Sequence, residues 1–196
     1  MKTLLKIAGA IVLFAVVAAG AAYGWFTMAT NNALAKTYDA HRVDIPMPWP
    51  LSPEETAAAK LAKPDATDAD LQATAMAAAV ARGKHLVEAR YGCTACHGGN
   101  FGGGEMMKAP PVATILGPNI TAGKGGRTAA YTMADWDRIV RHGIKPDGRP
   151  AVMPSEDFLL MSDQELSDVV AFLRSQPTVD AEVERPTFGQ IGRAHV

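Results

Sequence analysis

An all-α fold, a compact helical domain behind one membrane-spanning helix, is the class this sequence predicts. Three observations predict it: an uncharged apolar run at the N-terminus, capped helix-period stripes in the second half, and no alternating run of useful strand length. The 196 residues suit one ordinary domain plus extras. With 19 basic and 20 acidic side chains the net charge is −1, which lacks the basic excess of a nucleic-acid binder, so no nucleic-acid partner is expected. Two cysteines, Cys93 and Cys96, exclude a disulfide-stapled scaffold.

Residues 1–30 carry the membrane signal. No charged residue occurs from Ile7 to Ala35, and Ile7–Met28 is almost wholly apolar. As a helix that run rises roughly 33 Å, enough for a hydrocarbon core of about 30 Å. Lys2 and Lys6 favour a cytoplasmic N-terminus, and Tyr23 and Trp25 sit where aromatic rings prefer the interface. A retained single-pass anchor in the inner membrane is expected, with the rest of the chain on the extracytoplasmic (periplasmic) side. The competing reading is a signal peptide cut near residues 18–22, although a signal core usually spans only about 7–15 residues.

Residues 31–72 read as a proline-rich linker. The run Val43-Asp44-Ile45-Pro46-Met47-Pro48-Trp49-Pro50 favours extended backbone and excludes helix. It either lifts the following domain off the bilayer or packs along it. His41, in this stretch, reads as a surface residue.

Residues 73–178 read as the working domain. From about Asp70 to Tyr91 the chain is rich in Ala and straight side chains, with Gly83 the only interior breaker. Thr132 and Asp135 can cap a short helix that places Trp136, Ile139 and Val140 on one face and stops at Gly143. Ser162 and Glu165 form a capping box for a last helix striped by Leu166, Val169, Val170 and Leu173. Between the first two lie residues 92–130, with ten glycines and no periodicity. So long a loop within a small domain points to function or a cofactor.

The cofactor follows from Cys93-Thr94-Ala95-Cys96-His97, a C-x-x-C-H run, the attachment signal for c-type haem. Two thiols at this spacing reach the two vinyl groups on one porphyrin edge and form thioethers, while the adjacent His97 meets the iron from the same side. A redox dithiol would need a βαβ context, and a zinc site two further paired ligands; neither is present. One covalently attached haem c is therefore expected, with His97 as an iron ligand.

The sixth iron position separates an electron carrier from a catalyst. Met153 lies in an irregular segment bounded by Pro150 and Pro154, which can cross the far haem face without helical backbone. Met106 and Met107, in the glycine-rich loop, are live competitors. Met133 and Met161 read as packing, and His85 and His142 fall within helical patterns. Met153 is the expected ligand.

These residues resemble the class I cytochrome c family, particularly small membrane-anchored bacterial members. The resemblance covers roughly 75–178. It includes Arg82-Gly83-Lys84-His85-Leu86, the Gly-Pro-Asn-Ile-Thr stretch at 117–121, Trp136 with the run 138–144, Asp147-Gly148-Arg149, Met153-Pro154-Ser155, and Ala171-Phe172-Leu173-Arg174-Ser175. It implies crossing first and last helices with Gly83 close to Phe172, and Met153 as sixth ligand. It implies that the Pro118 carbonyl accepts a hydrogen bond from His97, and that Trp136 sits near a haem propionate, although Trp136 reads equally as a core aromatic. The anchor and the proline-rich stretch lie outside the family core.

Residues 80–150 hold ten basic and five acidic side chains, whereas 151–185 hold two and eight. A basic surface near the haem would steer an acidic redox partner; a balance struck by chance is the plain alternative. Residues 179–196 read as a tail. Its last six residues, 191–196, match the translation of a common short-read sequencing adapter, so His195 is given no role and the natural chain is expected to continue past about Gln190. The expected function is a membrane-anchored monohaem cytochrome that carries single electrons in a respiratory or dehydrogenase chain. It is not expected to be an enzyme. The alternatives are a permanent cytochrome subunit of a dehydrogenase or oxidase complex and a haem enzyme or gas sensor with an open sixth site.

Overall fold

The computed structural model describes residues 2–39 and 43–189; His41 and His195 lie outside them. Helix α1 runs Lys2–Ala35, and its side chains are exposed throughout residues 2–26. By length and composition it is able to cross a membrane. Its far end meets the domain. Thr30 is buried, and the Tyr38 N–H donates to the Gly148 carbonyl at 2.9 Å.

The extended run after residue 43 packs against the domain. Ile45 is buried in the core, and the Ser167 hydroxyl donates to the Pro46 carbonyl at 2.7 Å. Of the two readings open for this run, the packed one describes the structure. The stretch read as linker also holds a helix, α2 (Pro53–Ala62). There the Ser52 hydroxyl accepts from the Glu55 N–H while the Glu55 carboxylate accepts from the Ser52 N–H.

Helix α3 (Asp68–His85) starts from the reciprocal Thr67–Asp70 cap. It widens into a π turn over Leu86–Arg90, in which the Tyr91 N–H reaches the Leu86 carbonyl at 2.8 Å. The last long helix, α6 (Asp163–Ser175), crosses α3 and is capped by Ser162 and Glu165. The crossing is tight because residue 83 has no side chain: a Cβ there would lie 2.8 Å from the Phe172 Cβ and run into the Asp168 carbonyl. Beside it, Arg82 donates from Nε and Nη2 to the two Asp168 carboxylate oxygens at 2.7 and 3.0 Å. Helix α5 (Met133–His142) has the Thr132–Asp135 cap and ends at Gly143, whose φ of 64° suits glycine. Val87, Leu166, Val169, Val170, Phe172, Trp136 and Phe101 form the core between these helices.

The glycine-rich segment corrects the all-α expectation. It folds into strands β1 (Gly104–Ala109) and β2 (Ala113–Gly117), and β3 (Thr187–Phe188) joins from near the C-terminal end. The three form an antiparallel sheet in the order β1-β2-β3. The fold is mainly helical with this small sheet appended. Its physical reason is plain in β1, whose four central residues are all exposed: with neither face buried, no alternation is imposed on the sequence. The segment 179–188, read as a tail, lies back on the glycine-rich segment.

Candidate functional site

The π turn delivers the chain to the pentapeptide. The Cys93 N–H donates to the Val87 carbonyl at 3.0 Å, and a single helical turn, α4 (Thr94–His97), follows. Wider turns of this kind recur at functional sites because they shift the helix register by one residue. The Cys96 carbonyl packs against two glycines: a Cβ at Gly104 would stand 2.8 Å from it, and one at Gly117 closer still. The sheet therefore closes directly on α4.

That closure puts Nδ1 of His97 2.9 Å from the Pro118 carbonyl oxygen. A carbonyl only accepts, so Nδ1 carries the proton and donates, and Nε2 keeps its lone pair. Burial pushes the His97 pKa down, against the smaller opposing effect of the Pro118 hydrogen bond. The ring is thus held neutral, in the state a metal ligand needs. Burial also pushes the Cys93 thiol up to about 11, with the nearby Cys96 adding to the effect. A thiol kept protonated at neutral pH is a slow nucleophile in disulfide exchange. Among the described residues there is no cluster of three or more His, Cys, Asp and Glu able to hold a metal ion.

Met153 comes from the other half of the fold. Its loop is held by the Ala151 N–H donating to the Gly143 carbonyl at 2.7 Å and the Ser155 N–H donating to the Met153 carbonyl at 2.8 Å. The half-buried Met153 side chain packs against the core and opens on a cleft of about 500 Å³. The side chains that line the cleft are apolar, including Leu34, Met106, Val152, Pro154 and Phe188. Met106 enters at an irregularity between Glu105 and Met107 in the β1–β2 pairing, the kind of bulge that re-aims a side chain. Met107 does not line the cleft, and Met161 is buried in the core. Leu34 and Phe188 carry no signal in the sequence, since neither belongs to a motif.

Trp136 is buried, with its ring edge-on to Tyr131 at 5.7 Å between centroids. Its Nε1 is buried and hydrogen-bonds to nothing among the described residues, and the same holds for Nε of the neighbouring buried Arg138. Two buried donors without acceptors call for a partner outside the described polypeptide groups, and a carboxylate of a bound group would satisfy them. A haem brings carboxylates, a flat apolar body and an open iron coordination shell. The unpaired donors, the apolar side chains beside Met153 and the Nε2 lone pair of His97 each suit one of these, and the residues that line the cleft do not include Cys93, Cys96, His97 or Trp136.

The comparisons agree with that fit. The profile of the family described as Cytochrome c matches residues 80–177, half of the chain. Among curated relatives, the chain is 35% identical over 101 residues to the gluconate 2-dehydrogenase cytochrome c subunit of Pantoea cypripedii, covering 48% of this chain and 22% of that protein. It is 38% identical over 92 residues to the cytochrome c subunit of the quinone alcohol dehydrogenase of Gluconacetobacter polyoxogenes, covering 43% and 19%. It is 30% identical over 111 residues to the fructose dehydrogenase cytochrome subunit of Gluconobacter japonicus, covering 53% and 22%. The chain thus spans about a fifth of the length of the curated relatives it matches. With the attachment pentapeptide inside the matched half, the chain belongs to the cytochrome c family and carries covalently bound haem c.

Proposed function

We propose that this chain is a membrane-anchored monohaem cytochrome c that passes single electrons on the extracytoplasmic side of the inner membrane, in a chain fed by a dehydrogenase. The observation that carries the reading is the His97–Pro118 hydrogen bond of 2.9 Å, which leaves the Nε2 lone pair free for a metal in the residue next to two attachment cysteines. The haem supplies one-electron redox chemistry; the polypeptide positions it and excludes water from it. Cys93 and Cys96 would anchor it, His97 and Met153 would ligate its iron, the Pro118 carbonyl orients the His97 imidazole, and Trp136 would donate to one of its carboxylates. Helix α1 supports the anchor, and Lys2 and Lys6 support a cytoplasmic N-terminus. The names of the relatives, all cytochrome subunits of dehydrogenases, support a dehydrogenase as the electron source. They equally support a second reading, permanent assembly with such an enzyme.

The experiment is haem staining after denaturing electrophoresis, joined to an optical spectrum with and without carbon monoxide. Wild-type protein should keep its stain through denaturation and give a reduced spectrum insensitive to carbon monoxide. Cys93→Ala with Cys96→Ala should lose the stain. A band that still stains after the double change would overturn the attachment, and carbon monoxide binding to the wild type would replace the carrier with an open-site haem protein.

A further inference from the structure

The Pro118 carbonyl orients His97 only as firmly as its own backbone is held, and the next residue shows what holds it. Asn119 is completely buried. Its Nδ2 donates to the carbonyls of Val179 at 2.7 Å and Ala181 at 3.2 Å, some sixty positions away in sequence. Its Oδ1 accepts from the Thr121 N–H at 2.9 Å and from the Thr121 hydroxyl at 2.8 Å. The same hydroxyl accepts from the Val179 N–H at 3.0 Å. Around this centre the Lys124 N–H donates to the Asp180 carboxylate at 2.7 Å, and the Ala181 N–H to the Lys124 carbonyl at 3.0 Å. The fit leaves no slack: a Cβ at Gly123 would lie 2.6 Å from the Val179 carbonyl carbon. A buried amide that satisfies both its ends this way fixes two distant backbones in one register.

We propose that Asn119 is a positioning residue, which clamps the strap formed by residues 179–183 onto the backbone of Pro118 and thereby fixes the orientation of the His97 ring. The inference rests on the reading of His97 as an axial ligand. A firm Nδ1–H···O=C bond makes the imidazole a stronger donor through Nε2, which favours ferric iron. Loosening the clamp therefore weakens that donation and raises the reduction potential.

The test uses the full-length holoprotein. Asn119→Asp keeps the size and the Oδ1 acceptor but sets an oxygen against the Val179 and Ala181 carbonyls. Thr121→Val removes the hydroxyl shared by Asn119 and the strap. Both should shift the reduction potential upward and speed solvent exchange of the His97 Nδ1 proton, read by NMR, by roughly tenfold or more. Thr121→Ser should restore wild-type values. Arg82→Ala, remote from the strap, should lower the thermal midpoint without moving the potential, which separates positioning from plain destabilisation. Should either variant fail to fold, Asp180→Ala on the exposed side of the strap carries the measurement, with the same directions expected. Potential and exchange both at wild-type values in the folded variants would overturn the clamp. His97→Gly with added imidazole distinguishes the underlying reading. An optical spectrum unaltered in that variant before imidazole is added would strike out His97 as ligand, and the clamp with it, whereas a spectrum altered by the change and restored by imidazole keeps it. An altered spectrum alongside an unmoved potential in the Asn119 and Thr121 variants would strike out the clamp alone.

Discussion

At Met153 the chemistry of one sulfur decides a measurable property. A thioether is a soft donor that favours ferrous iron, so Met153→Ala should lower the reduction potential and admit carbon monoxide to the reduced protein. Met107, which does not line the cleft, and Met161, which is buried in the core, should leave both unchanged when replaced by Ala. Met106 is the informative comparison, because its side chain lines the same cleft. If Met106→Ala lowers the potential and Met153→Ala does not, the ligand belongs to the bulge in β1. A second residue-scale prediction concerns Arg82. Asp168 is 2% exposed, and Arg82 is its bidentate partner. Arg82→Ala strands that carboxylate in the core, a loss of roughly 3–5 kcal/mol for a fully buried pair. With the arginine about a third exposed, water relieves part of it, so about 3 kcal/mol is expected by denaturant unfolding. A change below about 1 kcal/mol would show the pair to be solvated. Cys93, Cys96 and His97 are legible in the sequence because the attachment chemistry needs them within five positions. The role of Asn119 is not, although it lies in the 117–121 stretch that carries the resemblance, because its strap partners are main-chain carbonyls at 179 and 181, which impose no residue type on the sequence.

Among the elements, the helices that carry the core announce themselves and the others do not. Helices α5 and α6 pair a capping box with an apolar stripe that ends up buried. Ser52-Pro53-Glu54-Glu55 writes a comparable start signal, yet α2 buries no residue, and without a stripe the cap alone is easily read as linker. The sheet was illegible for a related reason: β1 is exposed along its middle, and β3 is only two residues long. The pairing of β3 with β2 is set by backbone hydrogen bonds between segments more than seventy residues apart. Helix α1 was legible from its apolar length, and there the prediction is about solvent. Hydrophobic insertion is insensitive to charge screening. The full-length protein should therefore stay with membranes through high-salt and carbonate washes, while a chain beginning near Asn31 behind a cleavable signal should be soluble and still take up haem. Release of the full-length protein by carbonate, or a mature N-terminus near residue 22, would replace the anchor with a signal peptide.

For the molecule as a whole, charge layout separates a diffusing encounter from permanent assembly. The basic excess over 80–150 contains the attachment pentapeptide, and the acidic excess over 151–185 follows the Met153 loop. Opposed fields of this kind orient a partner during approach and raise its association rate. Screening removes the advantage: the Debye length falls from about 30 Å at 0.01 M salt to about 3 Å at 1 M. A carrier that meets its partners transiently should therefore show reduction by a membrane dehydrogenase slowing roughly tenfold or more across that range. A permanent subunit has no encounter to steer, so its electron transfer should hardly respond to salt, and it should leave a size-exclusion column with the dehydrogenase at fixed stoichiometry. The measurement is stopped-flow reduction of the haem in detergent-solubilised membranes over the salt series, with the column run at both extremes. Slowing with salt, and separation from the enzyme on the column, are the outcomes expected here. Salt-independent reduction together with co-elution at both extremes would instead make this chain a built-in subunit, the arrangement named for its relatives.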